Sequence, residues 1–471
     1  MPEINPDSAA LNEINPEVFP ASARRGSNCG VLKIGDTRAT DLVAQFGSPL
    51  YVIDENVVRQ RARAAREAFA SAAAAVGTSA EVYYASKAFL CVETARWVAE
   101  EGLAIDVASG GELLVALTAG VDPAKIGFHG NNKSQREIEM AVKAGVGTII
   151  LDSRIEITRV AAAAAAAGVQ QGVRLRVNSG VHASTHSYLA TSHEDQKFGL
   201  PLADAADIVG EIVSHKNLSF RGLHCHIGSQ IFDTSGFRES ARRLLASYPK
   251  LSEITGAAIP EVNLGGGFGI AYLPSQVADA PDFSDTAAGI AQIVAEVCAD
   301  IGIDVPKLAF EPGRSIVGPA GVTLYTVGTV KAVALTDEHT TADDIERRFD
   351  ERLYVSVDGG MSDNARPALY ESDYHVRIAN RRSDAEAALV RVVGKHCESG
   401  DIVVYRDLLP ADVAPGDVLA VAATGAYCWS LSSNYNYVPR PPVVAVKDGE
   451  ARVIVRGETE QELLEKSVFT P

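Results

Sequence analysis

From residue 82 the chain repeats one pattern: a short, mostly apolar run, then a longer segment with apolar residues three and four apart. The apolar runs fall at 82–85, 104–107, 125–128, 148–151, 173–177, 220–225, 262–264 and 308–310. Each is short and predominantly apolar, as expected of strands covered on both faces. Helical periodicity fills most of the gaps, at 93–101, 111–119, 134–144, 153–167, 203–213, 237–254 and 286–301. The alanine run at 161–167 fits the same scheme, since alanine is the best helix former. Eight parallel strands alternating with helices predict a TIM-like (β/α)8 barrel.

The pattern differs on either side. Residues 1–25 form an acidic, proline-rich arm, and 26–54 carry short strand-like pieces, clearest at 50–53. A long helical pattern follows at 55–76. Beyond residue 318, strand-like runs separated by turns lie at 323–333, 353–357, 374–378, 388–393, 402–405, 418–421, 442–446 and 451–455, with one helical stretch at 341–352. The expected organisation is an arm (1–25), a segment pairing with the later β domain (26–54), the barrel (55–318) and an antiparallel β domain (319–471).

Composition narrows the function classes. The 471 residues are 46% apolar and 22% charged, with net charge −17, which argues against a partner built on a phosphate backbone, so no nucleic acid is expected. No apolar run reaches the roughly 18 residues of a membrane helix, so no membrane partner is expected. The first residues have neither the basic start nor the apolar stretch of a signal peptide, and a cytoplasmic location is expected. None of the six cysteines forms a C-x-x-C pair, which fits a reducing compartment and gives no zinc or dithiol site. His182, His186, His193, Glu194 and Asp195 match no familiar metal spacing and read as a polar barrel loop, so no metal is expected.

Candidate chemistry gathers at the strand ends, where barrels carry their active sites. Lys87 follows the first strand in Tyr83-Tyr84-Ala85-Ser86-Lys87. Crowded by apolar and aromatic residues, such a lysine loses its charge readily and becomes a Schiff-base nucleophile; taken alone it reads equally as an ordinary strand-end lysine. His226 and Ser229 follow the sixth strand in His224-Cys225-His226-Ile227-Gly228-Ser229. His226 is either a hydrogen-bonded structural residue or a ring lying on a planar cofactor, and Ser229 either caps a turn or meets a phosphate. Gly265-Gly266-Gly267 follows the seventh strand, where bare backbone N–H groups approach an anion closely. Glu311-Pro312-Gly313-Arg314 follows the eighth. Its carboxylate suits a heterocyclic nitrogen and its guanidinium an anion, unless the two form a local ion pair. Cys225 reads as packing, and Asp106, ending the second strand, as a group that orients the site.

These motifs, in this order, resemble the fold-type III pyridoxal-phosphate-dependent decarboxylases of basic amino acids. Asp358-Gly359-Gly360-Met361, Asn364-Ala365-Arg366-Pro367-Ala368-Leu369-Tyr370, Cys397-Glu398-Ser399-Gly400-Asp401 and Gly425-Ala426-Tyr427 are similar to the branch acting on meso-diaminopimelate. The stretch 193–199 also fits, and the resemblance covers roughly residues 30–460. It implies a pyridoxal 5'-phosphate (PLP) barrel followed by a β domain in the alanine-racemase-like architecture, assembled as a homodimer with shared active sites. It implies that Lys87 anchors PLP, His226 stacks on its ring, and Glu311 pairs with the ring nitrogen. Ser229, Gly267, Pro312-Gly313-Arg314 and Tyr427 would surround the phosphate. Cys397 would be the acid that returns a proton, and Cys397 and Glu398 would serve the partner subunit's site. Arg314, Arg366, Tyr370, Glu398 and Tyr427 would bind substrate, with Arg366 discriminating for a distal carboxylate. Decarboxylases of ornithine, arginine or carboxynorspermidine, a racemase of the same fold and a non-catalytic homologue are the alternatives.

Overall fold

The computed structural model describes residues 8–27, 30–181, 197–335 and 346–468. The histidine-rich stretch 182–196 lies outside the described residues. Two compact units emerge: one comprises 59–270 and 280–316, the other 1–58, 271–279 and 317–471.

The first unit is a closed barrel. Its strands are β1 (Ala80–Ala85), β2 (Ala104–Val107), β3 (Ile126–Phe128), β4 (Thr148–Leu151), β5 (Gln171–Asn178), β6 (Leu218–His224), β7 (Glu261–Asn263) and β8 (Lys307–Phe310). Each pairs in parallel with the next, and β8 returns to β1 through Leu308–Ala80 and Phe310–Val82. Closure removes both sheet edges, and the helices cover the outer face, so the apolar runs are buried on two sides. The barrel interior is not wholly apolar. Arg174 of β5 is buried and donates to Glu261 Oε2 at 2.6 and 3.0 Å and to the Tyr83 hydroxyl at 3.0 Å.

Local signals set the helix ends. Ser134 and Glu137 form a reciprocal capping box at the start of Gln135–Ala144, and Gly145 closes it in the left-handed conformation. The helix expected over 237–254 is two helices, Ser235–Leu245 and Tyr248–Thr255. Pro249 explains the break, because a proline is tolerated in a helix's first turn but not in its interior.

The second unit is built on a mixed sheet in the order Ile402–Pro410, Ala387–Val393, Glu351–Val357, Gly321–Ala334, Leu50–Asp54, Val443–Lys447, Glu450–Val455. Most pairings are antiparallel; Glu351–Val357 with Ala387–Val393 and Leu50–Asp54 with Val443–Lys447 are parallel. The early strand Leu50–Asp54 lies inside this sheet, antiparallel to Gly321–Ala334. Of the helical stretch expected at 341–352, Glu346–Arg348 form one 3-10 turn and a strand begins at Glu351; residues 341–345 lie outside the described residues.

Candidate active site

The C-terminal ends of the barrel strands surround an open pocket whose lining includes Lys87, Asp106, His129, Arg176, His224, His226 and Glu311. Lys87 sits on the 3-10 turn Ser86–Ala88 directly after β1. The crowding expected around it is not found: Lys87 is exposed at the pocket. Its aromatic neighbours in sequence turn elsewhere. The Tyr83 hydroxyl meets Arg174 inside the barrel, and the Tyr84 hydroxyl donates to Phe89 O at 2.6 Å. Alternation along the strand sends the two rings away, and the turn delivers the lysine head to the cavity.

His226 is half-buried, and its Nδ1 accepts the Gly266 N–H at 3.3 Å. Burial, reinforced by the Lys87 charge, holds its pKa well below the ordinary histidine value, so the ring is neutral. Opposite, Glu311 lies 3.0 Å from His224 Nε2 and 3.4 Å from His129 Nε2, and accepts from Asn263 at 2.8 Å. His129 Nε2 is also 3.2 Å from Asp106. Burial opposes the Glu311 charge, but His224 and His129 hold its pKa well below the usual carboxylate range. Asp106 is pushed up to about 6 by burial and by Glu311, so of the two carboxylates Glu311 keeps its charge to lower pH. Burial lowers His224 to about 4, whereas Asp106 and Glu311 outweigh burial at His129 and raise it to about 9.

Beside this cluster lies a backbone cradle. Ile231 N–H donates to Gly267 O at 2.8 Å and Gly269 N–H to Ile231 O at 3.0 Å, zipping the loops after β6 and β7 together. Gly267 has φ +103°, and a Cβ there would lie 2.3 Å from Gly228 O. A Cβ on Gly266 would meet Glu311 O at 2.1 Å, and one on Gly313 would meet Ala85 O at 2.7 Å. Glycine is therefore required by close backbone approach, not by loop flexibility. Arg314 Nη2 donates to Ser229 Oγ at 2.8 Å, so two residues expected at a phosphate are joined. Ala85 N–H donates to Pro312 O at 3.1 Å, fixing the Pro312 turn against the strand that carries Lys87. Cys225 is buried 3.0 Å from Ser240 Oγ, and burial raises its pKa to about 12, as suits packing.

The remaining expected residues belong to the sheet unit. Arg366 is 6% exposed; its guanidinium lies over Tyr272, 4.7 Å from the ring centroid, and donates to the Tyr374 hydroxyl at 2.5 Å. No carboxylate pairs with it among the described residues. Tyr370, one helical turn on, is 62% exposed. Cys397 and Glu398 lie on an exposed turn, where the Tyr435 hydroxyl donates to Glu398. Tyr427 follows Gly425-Ala426 with φ +63°, a left-handed conformation unusual for a tyrosine.

Sequence reasoning passed over His129, Arg176, Tyr272 and Tyr374. His129 follows β3 and Arg176 lies in the C-terminal half of β5, so the strand-end rule, applied to every strand, would have found both. Nothing in the sequence links Tyr272 and Tyr374 to Arg366.

A neutral histidine, an ionised buried carboxylate, a glycine cradle and an exposed lysine suit a planar, anionic, nitrogen-containing cofactor. The pocket wall also holds buried polar atoms without aligned partners, on Asp106, His129 and His224, as a wall facing a polar ring would. This is the barrel of a PLP enzyme, and the pyridoxal-dependent decarboxylase family, through its pyridoxal binding domain, matches residues 56–318. Diaminopimelate decarboxylase of Mycobacterium leprae is 50% identical over 96% of this chain and 92% of its own. That of Bacillus subtilis is 41% identical over 95% and 97%. The crystal structure of diaminopimelate decarboxylase from M. jannaschii in complex with L-lysine superposes with TM-score 0.84 at 32% identity, covering 96% of this chain and 98% of that one. The chain belongs to the diaminopimelate decarboxylase family of PLP-dependent enzymes.

Proposed function

We propose that this protein decarboxylates meso-2,6-diaminopimelate to L-lysine and CO2, the last step of lysine biosynthesis, in the cytoplasm. The observation that carries the choice of substrate is Arg366, a buried guanidinium held by two tyrosines with no carboxylate beside it among the described residues. A buried cation lacking a counter-ion is costly, and a substrate that brings its own distal carboxylate removes the cost. Ornithine and arginine bring none.

PLP, when bound, accepts the electrons released as CO2 departs. Lys87 anchors it, and neutral His226 lies against its ring without adding charge. Glu311 keeps the ring nitrogen protonated. Ser229, Gly267, Pro312, Gly313, Arg314 and Tyr427 hold the phosphate through backbone N–H groups, hydroxyls and the guanidinium. Arg314, Arg366, Tyr370, Glu398 and Tyr427 bind the substrate, Glu398 taking its distal ammonium. Cys397 donates the proton that replaces CO2. The thiol and Glu398 serve the site of a second subunit in a homodimer, a role supported by their position on an exposed turn among exposed Tyr435 and Tyr437.

The test is a coupled assay for lysine formed from meso-diaminopimelate with PLP present, run beside ornithine and arginine. Lysine formation is expected. CO2 released from ornithine but not from meso-diaminopimelate would sink the assignment.

A further inference from the structure

The two oxygens of Glu311 stand in different circumstances. Oε1 accepts from Asn263 Nδ2 at 2.8 Å and lies 3.0 Å from His224 Nε2 and 3.4 Å from His129 Nε2. Oε2 has no hydrogen-bond partner among the described residues. The Asn263 amide cannot be reversed, because its Oδ1 accepts the Gly265 N–H at 2.8 Å. Nitrogens from the end of β7, the end of β6 and the residue after β3 therefore converge on a single oxygen. His129 reaches further, its Nε2 lying 3.2 Å from Asp106 Oδ1, so one imidazole spans two carboxylates.

An ionised carboxylate on three free torsions would sample several rotamers, and burying it needs donors. The Asn263 hydrogen bond, with two imidazole nitrogens at ion-pair distance though not aligned as hydrogen bonds, fixes one oxygen and leaves the other to face the pocket. We propose that His129 is a positioning residue: with Asn263 and His224 it holds Glu311 by Oε1 and commits Oε2 to the ring nitrogen of PLP. The proposal deepens the PLP assignment and rests on it. Asp106 has a matching role as the counter-charge that keeps His129 in place. The same conclusion is favoured by the ionisation of the cluster, with His129 raised to about 9 between the two carboxylates. Gly127 makes room for the arrangement, since a Cβ there would sit 2.2 Å from Asp106 Oδ1.

The experiment measures the affinity of cofactor-free enzyme for PLP and for 1-deaza-PLP, in which a C–H replaces the ring nitrogen. Wild-type protein is expected to prefer PLP. His129→Leu is expected to weaken PLP by roughly tenfold or more, the scale of a lost close ion pair in a buried site, while leaving deaza-PLP unchanged. His129→Gln, whose Nε2 can donate to Glu311, should recover most of the preference. A general structural role would weaken both cofactors equally, and that result, or no change in either, would overturn the proposal. If His129→Leu does not fold by circular dichroism, His129→Asn takes its place: the shorter amide stays polar but withdraws from Glu311, and the same selective loss is required. Wild-type protein binding the two cofactors equally would overturn the pairing of Glu311 with the ring nitrogen itself, a different failure.

Discussion

Asp401 holds the backbone of His396: its Oδ2 accepts the His396 N–H at 2.7 Å, while its Oδ1 accepts the Met361 N–H at 2.6 Å. One buried carboxylate thus ties the turn bearing Cys397 and Glu398 to the turn that leads into Arg366. Gly360 and Gly394 make room, since a Cβ on either would lie within 2.5 Å of an Asp401 oxygen. Asp401→Ala strands the buried His396 N–H and the half-buried Met361 N–H and should destabilise the protein by about 2–3 kcal/mol in urea unfolding. The barrel's own pocket is untouched by the change, so the PLP absorbance of the folded variant should match wild type.

Arg366→Ala should raise KM for meso-diaminopimelate by about tenfold or more, the scale of a lost charge-assisted pair, with the PLP spectrum unaltered. Arg366→Lys should recover little, because a lysine cannot reproduce a planar fork stacked on Tyr272. An unaltered KM in steady-state kinetics would remove the substrate-clamp role.

Gly267→Ala places a methyl against Gly228 O at a φ of +103° that alanine rarely adopts. The two zipped loops must part, so PLP affinity should fall sharply, by about tenfold or more, as read by titrating cofactor-free enzyme. Gly302→Ala is a control for backbone strain alone, since its φ is +71° and no atom lies within 4 Å of its added Cβ.

Lys87→Ala should lose both turnover and the absorbance of anchored PLP. Cys397→Ala should keep the absorbance and lower kcat. If sites are shared between subunits, mixing the two impaired variants under exchange conditions should raise the activity above that of either alone, because one hybrid site holds both an intact Lys87 and an intact Cys397. No recovery, with hybrid dimers demonstrated by mass, would count against sharing.

The pH dependence follows from His129. Its pKa is raised in the folded protein from 6.5 to about 9, so the folded state holds the proton more tightly. The stability this contributes is full below pH 6.5 and is lost as pH rises through 9. In cofactor-free protein, the difference in unfolding free energy between wild type and His129→Gln should therefore shrink across that window. A difference that grows with pH would contradict the charged state of His129.

The barrel was readable because burial on both faces leaves short apolar runs, and each expected strand lies within two residues of the observed one. Strand-end motifs then placed Lys87, His226 and Glu311 around one pocket. Legibility failed where a property arises from residues distant in the chain. Tyr272 and Tyr374 flank Arg366 from 94 and 8 positions away by residue number, and no local pattern announces them. His129 is a single histidine after a three-residue strand, meaningful only once Asp106 and Glu311 flank it. The exposure of Lys87 was hidden because a sequence shows which aromatics are adjacent, not which way they turn.

The strand Leu50–Asp54 carries a consequence for the order of synthesis. It leaves the ribosome before any of the barrel, yet one neighbour in its sheet begins at Gly321 and the other at Val443. The segment must wait through some four hundred residues of translation, its apolar side chains unsheltered, before the last partner arrives. The barrel strands, each paired with its sequence neighbour, have no such delay except at the β8–β1 seam. Chaperone dependence in the cell should therefore track this one early segment more than the catalytic barrel.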